Sequence, residues 1–106
     1  MDHFTEGFHT YYVYILTNKN RTVLYTGVTN NLHRRLHEHH IKFNPRSFTA
    51  RYQVEFLIYY EKFTWIHHAI EREKEIKNLT RLKKLHLIRT ANPNMTFLNH
   101  IFSNKV

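Results

Sequence analysis

Cysteine is absent from this 106-residue chain, which excludes disulfide bridges and thiolate metal sites. Glycine and proline occur only twice each, so no stretch is built as a flexible or proline-stiffened linker. No run of about 18 apolar residues exists to cross a bilayer. No basic, apolar, small-residue leader pattern opens the sequence. A cytoplasmic protein with no membrane partner is therefore the expectation. Acidic residues are scarce: Asp plus Glu number 8 against 16 Lys plus Arg, a formal net charge of +8. With a pI near 9.9, long-range attraction favours a polyanion such as nucleic acid as partner. At this length the chain is one domain, with a monomer as the default.

Aromatic residues are plentiful, and they concentrate where the sequence is best patterned. Residues 11–17 and 22–28 are β-rich runs separated by the polar break Asn18-Lys19-Asn20-Arg21, which is a hairpin signal. If those four residues form the loop, Thr17 faces Thr22, Tyr14 sits opposite Tyr25 and Gly27 faces Tyr12. Opposed residues share a sheet face about 5 Å apart at Cβ, so two phenols stand side by side. Gly27 allows the opposite tyrosine or a phosphate to approach the backbone closely. The first run is apolar or aromatic on both alternations, as expected of a strand covered on both faces.

After Gly27, Thr29, Asn30 and Asn31 are all able N-caps. A helix over residues 31–40 places Leu32 and Leu36 inward. Arg35 and His39 flank that stripe at about 100° per residue. Residues 41–51 read as a loop about Asn44-Pro45. In it Lys42, Arg46 and Arg51 alternate with Phe43 and Phe48. The cations suit phosphates, and the rings either stack on bases or plug the core. A third strand is predicted over 53–60, with Phe56, Ile58 and Tyr60 on one face and Leu57 and Tyr59 on the other. Thr64 is the expected cap of a helix over 65–79 whose inner face holds Ile66, Ala69, Ile70 and Ile76. Glu73 falls within about 40° of the centre of that stripe and Glu71 on the opposite side. A carboxylate there needs a metal ion, an arginine, or a route out to solvent. Thr80 caps a third helix over 81–90, apolar through Leu82, Leu85 and Ile88 and basic through Arg81, Lys83, Lys84 and Arg89. Residues 97–102 have helical spacing and are expected to dock on the core. Together these elements make an α+β domain in the order β-β-α-β-α-α.

Tyr12-Val13-Tyr14, Tyr25-Thr26-Gly27, Arg35 ten residues after Tyr25, His39 and Glu73 together resemble the GIY-YIG nuclease module. The likeness is to its small stand-alone bacterial members, related to the catalytic N-terminal domain of the excision-repair incision subunit. Tyr12 replaces the glycine of the first triplet, and Val13 and Thr26 replace isoleucines. The resemblance divides the chain into an arm (1–10), a nuclease-like domain (11–93) and a packed tail (94–106). It implies a three-stranded antiparallel sheet flanked by helices, and a metal-dependent endonuclease that hydrolyses DNA phosphodiesters, with a tie to DNA repair. Glu73, four residues after the small Ala69, would hold a single Mg²⁺ or Mn²⁺. Arg35 would grip the phosphate, His39 would belong to the active-site neighbourhood, and Tyr14 or Tyr25 would activate the water. Lys42, Arg46, Arg51, Arg81, Lys83 and Lys84 are the expected DNA contacts. A non-cleaving DNA- or RNA-binding module on the same fold is the alternative.

Overall fold

The computed structural model describes residues 10–102. The expected N-terminal arm, Thr10 apart, lies outside the described residues. Three antiparallel strands, β1 (Tyr11–Thr17), β2 (Leu24–Thr29) and β3 (Phe56–Phe63), form one sheet in the order β2-β1-β3. Helix α1 (Leu32–His40) and the short α2 (Phe48–Arg51) lie between β2 and β3. Helices α3 (Ile66–Lys77) and α4 (Arg81–Ala91) and a 3₁₀ turn (Asn99–Phe102) follow β3. This is the α+β architecture that the patterning predicts, with α2 added where a loop was expected. Ser47 starts α2 by accepting from the Ala50 amide at 3.1 Å.

β1 is central, and its two alternations feed two cores. Val13 and Ile15 pack with Ile58, Tyr59, Ala69, Ile76 and Ile88 under α3 and α4. Tyr14 and Leu16 pack with Leu32, Leu36, Val54 and Leu57 under α1. All four of these β1 residues are fully buried, as a doubly covered strand requires.

The hairpin register differs from the expected one. Tyr14 pairs with Gly27, and Tyr25 pairs with Leu16. The loop is two residues longer than the polar break because Asn18 captures its far side. Its Oδ1 accepts from the amides of Thr22 at 2.8 Å and Val23 at 3.0 Å, groups that would otherwise join the ladder. Arg21 turns through φ 60° to make this possible. A shift of two residues preserves the faces, since side chains alternate with period 2. Tyr14 and Tyr25 therefore remain on one side as diagonal neighbours, with ring centroids 6.4 Å apart. Gly27 faces Tyr14 rather than Tyr12.

β3 also departs from expectation. Gln53 takes φ 56° and the Val54 amide returns to Thr49 O at 2.8 Å, so residues 53–55 close α2 and the strand begins at Phe56. A bulge then intervenes: Tyr59 pairs with Ile15 but Leu57 with Leu16, which leaves Ile58 as the extra residue. Simple alternation fails there. Ile58 and Tyr59 both belong to the core under α3 and α4, while Tyr60 packs on the side of Leu57. Buried Asn92 at the end of α4 answers the bulge, donating to Ile58 O at 2.9 Å.

Trp65, not Thr64, is the N-cap of α3 and makes no side-chain cap bond. The helix is turned so that Ala69 and Ile76 are fully buried while Ile66 and Ile70 stay exposed. In α4, Thr80 caps the Lys83 amide at 3.2 Å as expected, but Leu82 is exposed and the packed face is Leu85, Leu87 and Ile88. The C-terminal segment covers the open edge of β3. Leu98 N donates to Leu57 O at 2.7 Å, and the Leu57 amide donates to Asn99 Oδ1 at 2.8 Å. Phe102 sits edge-on to Tyr12 and Tyr60.

Gly27 lies directly under the Tyr14 ring. A Cβ placed on it would stand 2.5 Å from both Cζ and the hydroxyl of Tyr14. Gly27→Ala should therefore destabilise the fold by about 1–3 kcal/mol, the usual range for overpacking. Tyr14→Leu should recover part of that loss in the double variant. Urea unfolding of the four-member cycle measures it, and additive losses would show that the ring does not rest on Gly27.

Candidate active site

Arg35 and His39 reach the Tyr14 hydroxyl because α1 is started and aimed by its first residues. Asn31 caps it, accepting from the Arg34 amide at 3.0 Å. Leu32 and Leu36 then bury beside Tyr14, which turns Arg35 and His39 toward the hairpin. Arg35 Nε donates to the Tyr14 hydroxyl at 3.4 Å, and His39 Nε2 lies 3.4 Å from the same oxygen. His39 Nδ1 is 3.0 Å from the Thr49 hydroxyl, which in turn lies 3.2 Å from Ser47 Oγ.

The directions of these bonds follow from chemistry. A guanidinium only donates, so the phenol accepts from Arg35 and its single proton is left for His39 Nε2. His39 then carries its own proton on Nδ1 and donates it to Thr49. Burial, followed by the charge of Arg35, pulls His39 down from 6.5 to about 4, so the ring is neutral near pH 7 and fits this tautomer. Burial pushes Tyr14 up to about 12 against the opposing hydrogen bond from Arg35. Its phenol therefore stays protonated, opposite to the lowering that a tyrosine base acting alone would need.

A cavity of about 430 Å³ opens beside this cluster, walled by Tyr25, Arg35, Glu38, His39, Lys42 and Phe43, among others. Tyr25 is the phenol on the wall; Tyr14 is fully buried behind it. Glu38 binds Arg35 at 2.9 Å. It was not foreseen, although its i+3 spacing from Arg35 on a helix is a readable signal. Thr49 and Ser47 were also not foreseen. They reach His39 from a separate element, which no local spacing reveals.

Glu73 approaches from the other layer. Its helix belongs to the core under α3 and α4, yet its charge is among those that hold Tyr14 protonated. Its side chain is 16% exposed and its ion-pair partner is Lys77 at 3.2 Å, not Arg35. It does not line the cavity. Glu71 is exposed, as the helical wheel predicts.

The expected cations divide between two layers. Lys42 lines the cavity, and Arg46 and Arg51 follow it along the chain, all three exposed. Arg81, Lys83 and Lys84 stand on α4, which packs against the opposite sheet face. Arg81 also donates to Thr22 O at 3.0 Å, bracing the hairpin loop. Phe43 and Phe48 are exposed, so neither plugs the core.

A metal ion is compatible with one of these side chains. Among the described residues no group of three or more His, Cys, Asp or Glu gathers into a cage. A Mg²⁺ ion keeps several waters and takes one or two carboxylates. Glu73 is a hard oxygen donor, and its Lys77 partner is half-exposed, free to swing away. The donor set therefore fits a hydrated divalent ion on a single carboxylate.

A three-stranded sheet with two tyrosines on one face, met by an arginine and a histidine from the helix after the hairpin, defines a domain of the GIY-YIG type. The model of the GIY-YIG catalytic domain matches residues 10–86, and the chain belongs to that family, whose domain is a nuclease fold. A UPF0213 protein of Natronomonas pharaonis is 41% identical over 78 residues, covering 74% of this chain and 89% of that one. One from Clostridium perfringens is 44% identical over 77 residues, covering 73% and 81%. The solution NMR structure of a UPF0213 protein from Bacillus halodurans matches with a TM-score of 0.52 at 29% identity, covering 80% of this chain and 88% of that one. Among the described residues no helix is long and apolar enough to cross a membrane.

The unfolded chain takes up a proton at His39 near pH 6.5, but the folded chain refuses it until about 4. The stability this ring contributes is therefore present above pH 6.5 and is lost as pH falls toward 4. By NMR titration the His39 ring should show a midpoint near 4, and His39→Gln should flatten the acid loss of stability. A midpoint near 6.5 would mean a solvated ring and remove the tautomer assignment.

Proposed function

We propose that this protein is a metal-dependent endonuclease that hydrolyses DNA phosphodiester bonds. The observation that carries this reading is the Tyr14–Arg35–His39 cluster set against a cation-rimmed cavity with Tyr25 on its wall. In this reading a phosphate displaces Glu38 and docks on the guanidinium fork of Arg35. Tyr25, the phenol that meets the cavity, orients the attacking water. Neutral His39 takes the proton at Nε2, the nitrogen that accepts from the Tyr14 phenol in the resting site, while Nδ1–H stays on Thr49. Arg35 lowers the basicity of His39. A bound phosphate offsets that charge and raises the proton affinity of the ring when substrate is present. Glu73 is the residue that would hold Mg²⁺ or Mn²⁺, which when bound supplies charge stabilisation for the leaving oxygen.

Lys42, Arg46 and Arg51 would contact DNA phosphates beside the cavity. Arg81, Lys83 and Lys84, on the far layer, would add long-range attraction. The non-cleaving module is the second reading. It is favoured by the protonated state of Tyr14, since phosphate binding alone needs neither a base nor a metal. The DNA-repair connection rests on family likeness alone.

The test is strand breakage on a supercoiled plasmid and on a single-stranded circle, with Mg²⁺ or Mn²⁺ and with EDTA. Wild-type protein should break DNA only with metal. Arg35→Ala should lose about 10²-fold or more in rate, the scale of one lost electrostatic stabiliser. Glu73→Gln should melt like wild type, bind DNA at least as well and lose metal-dependent cleavage, while Glu71→Gln should change little. Full cleavage by Glu73→Gln would remove that residue from the mechanism. Salt-sensitive binding with no strand breaks under any metal would favour the binding module.

A further inference from the structure

The cavity continues outward into a row of rings that no packing requirement explains. Tyr25 on its wall stacks on Phe48, with centroids 6.4 Å apart and planes 25° apart. Phe48 meets Tyr52 at 4.9 Å. Phe43 also lines the cavity. The last three are large and exposed, at 71% for Phe43, 46% for Phe48 and 49% for Tyr52. Burying such rings is worth about 1.5–3 kcal/mol each, yet the fold leaves them in water beside Arg35.

Their backbones are fixed although their rings are exposed. Phe43 N donates to Glu38 O at 2.9 Å and Lys42 N to His39 O at 3.2 Å, the double bond pattern that closes a helix end. Lys42 takes φ 55° to do so, a position where glycine is the usual occupant. The residue after such a turn commonly packs an apolar side chain back on the helix. Here the corresponding helix position is Glu38, so the Phe43 ring projects over the cavity without that contact. Phe48 and Tyr52 sit at the start and the C-cap of α2. The cations alternate with these rings along the chain, and Arg51 stands 5.8 Å from the centroid of Tyr52.

Rigidly held rings interleaved with cations, leading to an arginine that grips phosphate, match one ligand chemistry. Bases of an unpaired strand offer faces to stack on, and the phosphates between them meet the cations. In a duplex those faces are already stacked on one another. We propose that the strand entering this cavity is single-stranded DNA, its bases stacking on Phe43, Phe48 and Tyr52 and its backbone running past Lys42 and Arg51 to Arg35. This rests on the nuclease reading only in placing the scissile phosphate at Arg35; the binding preference stands without cleavage.

The experiment is fluorescence anisotropy in EDTA with a labelled single-stranded 20-mer and the duplex of the same sequence, at one salt concentration. The single strand should bind at least about tenfold more tightly. Phe43→Leu and Tyr52→Leu should each weaken single-strand binding about tenfold, the scale of one lost base-stacking contact, and leave duplex binding unchanged. Phe43→Tyr should retain wild-type affinity. Both side chains are exposed, so melting temperatures should be unchanged, which separates lost stacking from lost fold. Duplex binding as tight as single-strand binding, or leucine variants that bind like wild type, would overturn the proposal. A single-strand preference without cleavage would keep it and remove the hydrolase reading. Cleavage with a duplex preference would do the reverse.

Discussion

The ring of Tyr14 rests on the bare backbone of Gly27, and the rest of the site depends on that contact. No side chain fits at position 27 without displacing the phenol. The contact holds the Tyr14 hydroxyl where Arg35 and His39 can both reach it. β1 is the central strand, so the same residue that anchors the site also belongs to the core. A hydroxyl placed there gains position at the cost of solvation, which is why its proton is held so firmly.

The site was legible from the sequence where local periodicity decides it. Tyr14 and Tyr25 share a face although the predicted register is off by two residues, because faces depend on parity and not on the exact partner. The placement of Arg35 and His39 beside the Leu32/Leu36 stripe needs only the helical angle. Glu73 lies near the buried line even though Ile66 and Ile70, two of the residues that defined the stripe, turn outward. The stripe was wide enough that rotating the helix toward Ala69 and Ile76 left Glu73 within it.

What was not legible comes from side chains acting at a distance or on backbone. Asn18 lengthens the hairpin loop by taking two amides, and nothing in the strand propensities announces that. The bulge at Ile58 breaks the alternation of β3, and its free carbonyl is answered by Asn92 from the far end of α4. Thr49 meets His39 Nδ1 from across a loop. Each is a hydrogen-bond solution to a group that cannot be left bare, and such solutions depend on tertiary proximity.

The two halves of the candidate site arrive on different layers, and their relative position has its own anchor. Tyr14, Tyr25, Arg35 and His39 belong to the hairpin and α1; Glu73 belongs to α3. The residue beside it, Arg72, binds Glu61 of β3 through two parallel bonds, Nε at 2.9 Å and Nη2 at 3.0 Å, and Glu61 also accepts from Tyr59. Burial raises the Glu61 carboxyl, but the bonds from Arg72 and Tyr59 outweigh it and leave the group below its usual range, so the pair is ionised. A fork of this kind fixes rotation as well as distance. Successive helix residues point about 100° apart, so locking Arg72 onto the sheet also sets the direction in which Glu73 points. The direction in which the Glu73 side chain leaves its helix is thus constrained by a neighbour that takes no part in the chemistry proposed for it, while its carboxylate rests on Lys77.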